Sequence, residues 1–150
     1  MTFMSNLGIR AYAGASDRDR LLEIWLTASQ VGHPFLGEAD LSAQMQLVRD
    51  TYLPQAENWV AVVEGQPAGF IGLLDSFIGG LFIDPAFHGC GIGKSLVLHA
   101  AQLKGALDVE VYADNRDACV FYRRIGFAET ARHARDDEGR PLAIVRMHRP

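Results

Sequence analysis

Cysteine is scarce in this chain: Cys90 and Cys119 stand alone, and their spacing fits no disulfide framework, metal knuckle or redox pair. A reducing, cytoplasmic compartment is the expectation that follows. The five histidines are scattered, with no ligand pair at helical spacing, so no metal site is expected. No apolar run reaches the roughly 20 residues that cross a bilayer, and no membrane partner is expected. Met1 to Asn6 lacks the basic start and apolar core of a signal peptide. Basic residues are outnumbered, 14 against 18 acidic ones, for a net charge of −4. That balance argues against nucleic acid, whose footprint on a protein is a basic face. Repeats, linkers and low-complexity segments are missing too. What remains is the composition of one soluble domain over residues 1–150, 49% apolar and 21% charged, large enough to bury a core without staples.

What is present concentrates in one stretch, Leu81-Phe82-Ile83-Asp84-Pro85-Ala86-Phe87-His88-Gly89-Cys90-Gly91-Ile92-Gly93-Lys94-Ser95. It reads as a buried strand, a proline-marked stop, a glycine loop and the first turn of a helix. Alternating glycines at 89, 91 and 93 let a ligand approach the main chain with no side chain in the way. The helix that follows opens with unpaired N–H groups and the positive end of its dipole, which suits a phosphate or diphosphate. Lys94 and Ser95 add a cation and a hydroxyl.

Spacing separates the glycine loops that bind such anions. A nucleotide-triphosphate loop requires glycine where this chain has His88, although Gly93-Lys94-Ser95 supplies its end. A dinucleotide fingerprint begun at Gly89 or Gly91 fails at Lys94 or Leu96. The pattern Gln/Arg-x-x-Gly-x-Gly/Ala fits His88-Gly89-Cys90-Gly91-Ile92-Gly93, with His88 in place of the usual first residue. Downstream, Asn115-Arg116-Asp117-Ala118-Cys119-Val120-Phe121-Tyr122-Arg123-Arg124-Ile125-Gly126-Phe127 matches Asn-x-x-Ala-x-x-Phe-Tyr-x-x-x-Gly-Phe. The two segments, in this order and at this separation, resemble the acyl-CoA loop and the second landmark of the GNAT superfamily of N-acetyltransferases.

The rest of the chain reads as alternating elements. Gly8 to Ala13 is a weak strand. Ser16 with Asp19 has capping-box character ahead of a helix carrying Leu21, Leu22, Trp25 and Ala28. A break at Gly32–Gly37 precedes a second helix marked by Leu41, Met45, Val48 and Tyr52 and stopped by Pro54. Strands follow at Trp59–Glu64, Ala68–Leu74 and Gly79–Ile83. A helix with Ile92, Leu96, Ala100 and Leu103 on one face ends at Gly105. Then come strand Leu107–Tyr112, a helix capped near Asn115 and closed by Gly126, and a hairpin, Phe127–Asp136 with Leu142–Met147. This order gives an α/β domain. The resemblance implies a GNAT-like fold, a central mixed, mostly antiparallel sheet flanked by about four helices.

It also implies the chemistry: transfer of acetyl from acetyl-CoA, without metal, to a primary amine of a small molecule or a protein. The slight acidity favours cationic acceptors. The resemblance places the cofactor's diphosphate on the backbone of residues 88–95 and its pantetheine arm along Leu81, Phe82 and Ile83. Amides there face the developing oxyanion. Asn115 matches a cofactor-contacting asparagine, and Lys104, Arg123 and Arg124 are candidates for a CoA phosphate. Tyr122 is the candidate proton donor to the leaving thiolate, since a phenol of pKa about 10 stays protonated at neutral pH. Alkylammonium acceptors must lose a proton, and Glu110 is the candidate base, on the sheet face opposite Val109 and Val111. Bound water is the alternative. His33 and Phe35 fall where GNAT proteins shape the acceptor pocket. The family analogy also admits a homodimer. A catalytically silent acyl-CoA-binding module and a nucleotide-binding protein are the rival readings.

Overall fold

The computed structural model describes residues 7–150; the Met1–Asn6 segment lies outside them. Seven strands form one sheet: β1 (Leu7–Ala11), β2 (Glu57–Val63), β3 (Gln66–Leu74), β4 (Phe77–Ile83), β5 (Leu107–Tyr112), β6 (Ala128–His133) and β7 (Ile144–Arg149). Their spatial order is β1-β2-β3-β4-β5-β7-β6. All neighbours are antiparallel except β4 and β5, the one parallel pair. The helices are α1 (Ala15–Gly32), α2 (Glu38–Leu47), the short α3 (Leu53–Gln55), α4 (Ile92–Lys104) and α5 (Arg116–Arg124). No described helix is long and apolar enough to cross a membrane.

Each face of the sheet buries its own core. One face packs α4 and α5 through Ile92, Leu96, Val97, Cys119 and Tyr122 against Val109, Val111 and Ile71. The other packs α1 to α3 through Leu21, Ile24, Trp25 and Leu53 against Val60 and Phe70. On α4 the buried stripe takes Val97 and leaves Leu103 half exposed, against the sequence expectation. Leu103 sits in the last turn of the helix, just before its end at Gly105.

The capping box at Ser16 and Asp19 does not form. The helix starts earlier, from Gly14, and Ser16 Oγ instead donates back to Ala13 O. Asp17 does the work of the entry: its carboxylate accepts the Ala13 amide at 2.7 Å and both arms of Arg10 on β1, at 2.7 and 2.8 Å. Nor does Pro54 stop the second helix. The chain passes from α2 through a π turn, Val48–Tyr52, into α3 with Pro54 near its start. A proline lacks the N–H that a regular helix would need there, and the wider turn absorbs that loss. Tyr52 consequently points outward.

The parallel pair matters most for the site. β4 and β5 pair only at Phe77–Asp108 and Ile78–Val109. Beyond Ile78 the register of β4 with β3 slips around Gly79. A bulge of this kind bends its strand, and from there β4 has no ladder with β5. The two strands open into a wedge.

Candidate active site

The glycine loop sits at the end of β4, aimed by a small polar anchor. Asp84 accepts the Ala86 amide at 3.0 Å and the Arg20 guanidinium of α1 at 2.7 Å. The hydrogen bond from the Ala86 amide, with that from Arg20, outweighs burial and holds its carboxyl below the usual carboxylate range. A short 3-10 turn, Pro85–Phe87, then delivers the chain to His88.

Gly89 and Gly91 take the left-handed conformation, with φ of 79° and 81°. A side chain at either would meet open space, so the backbone geometry, not crowding, demands glycine there. Gly93 is different: an added Cβ would lie 3.2 Å from the Phe121 ring of α5, so its bareness lets the two helices meet. The Ser95 amide donates to Gly91 O at 3.1 Å. None of the amides from Gly89 to Lys94 has an acceptor among the described residues. These open donors at the start of a 13-residue helix fit a diphosphate. Lys94 is exposed beside them, and Ile92 instead turns its side chain into the core.

This loop forms one end of a cleft of about 1360 Å³ that runs through the wedge between β4 and β5. His88, Leu81, Phe82, Ile83, Glu110, Asn115, Tyr122 and His33 all border it. A smaller hollow of about 720 Å³, between the start of α1 and α3, holds none of the candidate site residues. Phe82 packs into the α1 core, 5.4 Å from Phe70 and 6.4 Å from Trp25 by ring centroids. Its contribution to a ligand along β4 therefore comes from the main chain.

Tyr122 stands on the α5 side of the wedge, wedged edge-on between Phe121 at 5.0 Å and Phe127 at 5.2 Å. Burial pushes its phenol well above the ordinary value, so the hydroxyl is a firm proton holder at neutral pH. That hydroxyl has no hydrogen-bond partner among the described residues, although its ring is only 5% exposed. Asn115 Oδ1 caps α5 by accepting the Ala118 amide at 3.2 Å, which leaves only its amide nitrogen for a ligand.

Glu110 stands on the opposite face, as the alternation along β5 requires, and meets Arg146 of β7 at 3.4 Å. His33 borders the cleft, while Phe35 does not line it and instead packs against His33 and Tyr112. His33, Phe35 and Tyr112 form a triangle of edge-on rings, with centroids 5.6, 5.2 and 5.2 Å apart. Burial lowers the His33 pKa, which favours the neutral ring.

Behind that triangle lies a network that the sequence did not single out. Tyr112 Oη donates to Asp136 Oδ2 at 2.9 Å, and Arg140 Nε reaches the same oxygen at 2.7 Å. The other Asp136 oxygen accepts the amides of Glu138 and Arg140, and Arg140 extends to Asp40 of α2 at 3.1 Å. A buried carboxylate thus organises the β6–β7 turn and ties it to β5 and α2. The Asp-Asp-Glu-Gly-Arg turn signal marks the hairpin, but nothing local in it reveals the distant tyrosine.

Lys104 does not join the cofactor end. It terminates α4, on the order of 18 Å along the helix from the loop, and pairs with Glu57 at 2.7 Å. Arg123 and Arg124, near the end of α5, remain exposed.

Comparison with known proteins agrees with this geometry. Residues 54–129 match the model of the acetyltransferase (GNAT) domain. The chain is 38% identical over 133 residues to the peptidyl-lysine N-acetyltransferase YjaB of Salmonella typhimurium, covering 88% of this chain and 91% of that one. It is 36% identical over 116 residues to the peptidyl-lysine N-acetyltransferase YiaC of Escherichia coli, covering 77% and 80%. The solution structure of apo YjaB from Escherichia coli superposes with a TM-score of 0.86 at 36% identity, over 95% of this chain and 96% of that one. A splayed parallel pair, bare amides at the head of α4 and relatives matched along almost their whole length lead to one assignment: this chain belongs to the GNAT family and is an acetyl-CoA-dependent N-acetyltransferase.

Proposed function

We propose that the acceptor is a lysine side chain of a protein, acetylated in the cytoplasm by direct transfer within a ternary complex. The single observation that carries the mechanism is the placement of Tyr122 on one face of the β4–β5 wedge and of two groups able to take a proton, Glu110 and His33, on the other. The names of the YjaB and YiaC relatives support a peptidyl lysine as acceptor. So does the cleft lining, where Asp114 adds a carboxylate for which no ion pair is found among the described residues. Neither a nucleic acid nor a membrane is part of this reading.

In this scheme the amides of Gly89 to Lys94 hold the diphosphate and Lys94 adds a cation. Main-chain groups of Leu81, Phe82 and Ile83 line the pantetheine arm, and the amides among them that point away from β3 face the thioester oxygen. Asn115 contributes its side-chain amide and Cys90 its backbone amide; the amides of His88 and Ser95 are already bonded to Pro85 O and Gly91 O, so these two reach the cofactor through imidazole and hydroxyl. The acceptor enters beside His33 and Phe35. A group on the acceptor side first takes one proton from the ammonium; the neutral nitrogen then attacks the carbonyl carbon, a C–N bond forms and the C–S bond breaks. Tyr122 protonates the departing thiolate and recovers its proton from the nitrogen.

The test is a panel of lysine-containing peptides, N-terminal-amine peptides and small amines, followed by CoA release and by mass of the product. Acetylation confined to lysine side chains is expected. Turnover with free α-amines but not lysine would overturn the acceptor assignment.

A further inference from the structure

We infer that His33 is a catalytic residue, the group that takes the first proton from the incoming ammonium, and that Tyr112, Asp136 and Arg140 hold it in place. This rests on the lysine reading above and specifies its proton path.

Among the carboxylate and imidazole groups that border the cleft, Glu110 lies on the face of β5 opposite Val109 and Val111, and His33 packs on Tyr112 of that same face. Glu110 already faces a cation, Arg146 Nη1 at 3.4 Å, which in turn stacks over the Phe77 ring at 5.4 Å. His33 has no such partner: neither ring nitrogen is engaged by any described residue. Its ring is instead fixed by shape, edge-on to Phe35 and to Tyr112. An imidazole whose nitrogens are free and whose faces are packed is oriented without being neutralised, which suits general-base work.

The orientation has a cause further back. Tyr112 cannot swing, because its hydroxyl donates to Asp136 and accepts from Arg140 Nη2 at 3.3 Å. Asp136 is locked by two amides and by Arg140, and Arg140 is anchored on Asp40. On the near side, His33 follows the last turn of α1, its amide bonded to Ser29 O at 2.8 Å. The cleft that His33 borders also carries Glu110 on β5, Asp114 before α5, Arg116 and Asp117 in its first turn, and the Asp136–Arg140 pair, from which Arg140 reaches Asp40 on α2. That pair cancels its own charge. Glu110 is likewise answered by Arg146, and the ordinary fate of the histidine in a packed aromatic corner is neutrality, so it arrives able to accept.

The proton balance closes. An alkylammonium becoming an amide sheds two protons. His33 takes one and passes it to water; the other, released after the C–N bond forms, restores Tyr122 once the phenol has protonated the thiolate.

The experiment compares the wild type with His33→Gln, His33→Ala, Glu110→Gln and Tyr112→Phe, using a lysine peptide as acceptor. The kcat–pH profile is measured together with acetyl-CoA affinity by thermal shift. Wild type is expected to show an acid limb that His33→Gln removes, with kcat lowered roughly 10²-fold or more and acetyl-CoA binding unchanged. Added imidazole should restore part of the rate to His33→Ala, and Tyr112→Phe should lower kcat while retaining the limb. A full acid limb in His33→Gln that disappears in Glu110→Gln overturns the inference and returns the base to Glu110. Histidine-selective NMR titration of the acceptor-free protein supplies an independent arm: His33 charged at pH 7 would overturn the inference even if lysine peptides proved to be the wrong acceptor. A wild type inert toward lysine but active on another amine sinks the lysine reading alone, and the same profiles are then read with that amine.

Discussion

The Tyr112 hydroxyl and the Asp136 carboxylate, 2.9 Å apart, join strand β5 to the β6–β7 turn across 24 residues of sequence. Burial alone would raise the Asp136 pKa, yet the Arg140 guanidinium and amide and the tyrosine hydroxyl lower it overall. The carboxylate is therefore a structural anchor in its ionised form.

That state makes acid stability the first prediction. Asp17, held down chiefly by its hydrogen bonds from Arg10, Asp84 by the Ala86 amide, and Asp136 all have folded pKa values below their unfolded ones. Such groups stabilise fully above the unfolded carboxylate pKa of about 3.9. The contribution is lost as pH falls through the lower folded values. Melting temperature should hold steady near neutrality and fall steeply below about pH 4. Asp136→Asn should melt lower at neutral pH and show a shallower acid slope.

Tyr122→Phe removes only the hydroxyl from a ring that Phe121 and Phe127 keep in place. The fold and acetyl-CoA affinity should survive. Turnover should fall roughly 10²- to 10⁴-fold, the usual span for a general acid. Stopped-time CoA release set beside thermal shift separates the two quantities.

Gly91→Ala tests the loop. Its φ of 81° costs a residue with a Cβ roughly 1–2 kcal/mol. The loop should relax and turn amides away from the diphosphate, weakening acetyl-CoA by about tenfold, the equivalent of 1.4 kcal/mol. Gly93→Ala should act differently, by forcing Phe121 aside, and should lower thermal stability as well as affinity.

Core packing gives a control far from the chemistry. Ile24 is fully buried between α1 and the sheet. Ile24→Ala should cost about 2–5 kcal/mol, seen in chemical denaturation, while kcat of the remaining folded enzyme stays near wild type.

Much of this architecture is legible in the residues themselves, because several elements carry local signals strong enough to need no tertiary help. β5 alternates Leu107, Val109 and Val111 inward with Asp108, Glu110 and Tyr112 outward, and the structure follows that alternation. Asn115 and Gly126 bracket α5 as its caps demand. The departures come where a distant partner overrides the local preference. Asp17 is drawn to Arg10 of β1, so the expected cap at Ser16 never forms. Pro54 is absorbed by a π turn, because Val48 and Leu53 both gain burial by keeping the chain helical. Asp136 reads as one of three acids in a turn, and only the fold brings Tyr112 to it. At the site, the glycine loop and Tyr122 were visible as motifs, whereas the aromatic corner of His33, Phe35 and Tyr112 joins a loop to a strand far along the chain.

The most direct measurement of the central claim is a crystal structure of the protein with acetyl-CoA. The diphosphate oxygens should lie within hydrogen-bond distance of the amides between Gly89 and Lys94, with the pantetheine arm in the wedge between β4 and β5 and the thioester beside Tyr122. A cofactor seated elsewhere, with those amides bonded instead to the protein's own carbonyls, would contradict it.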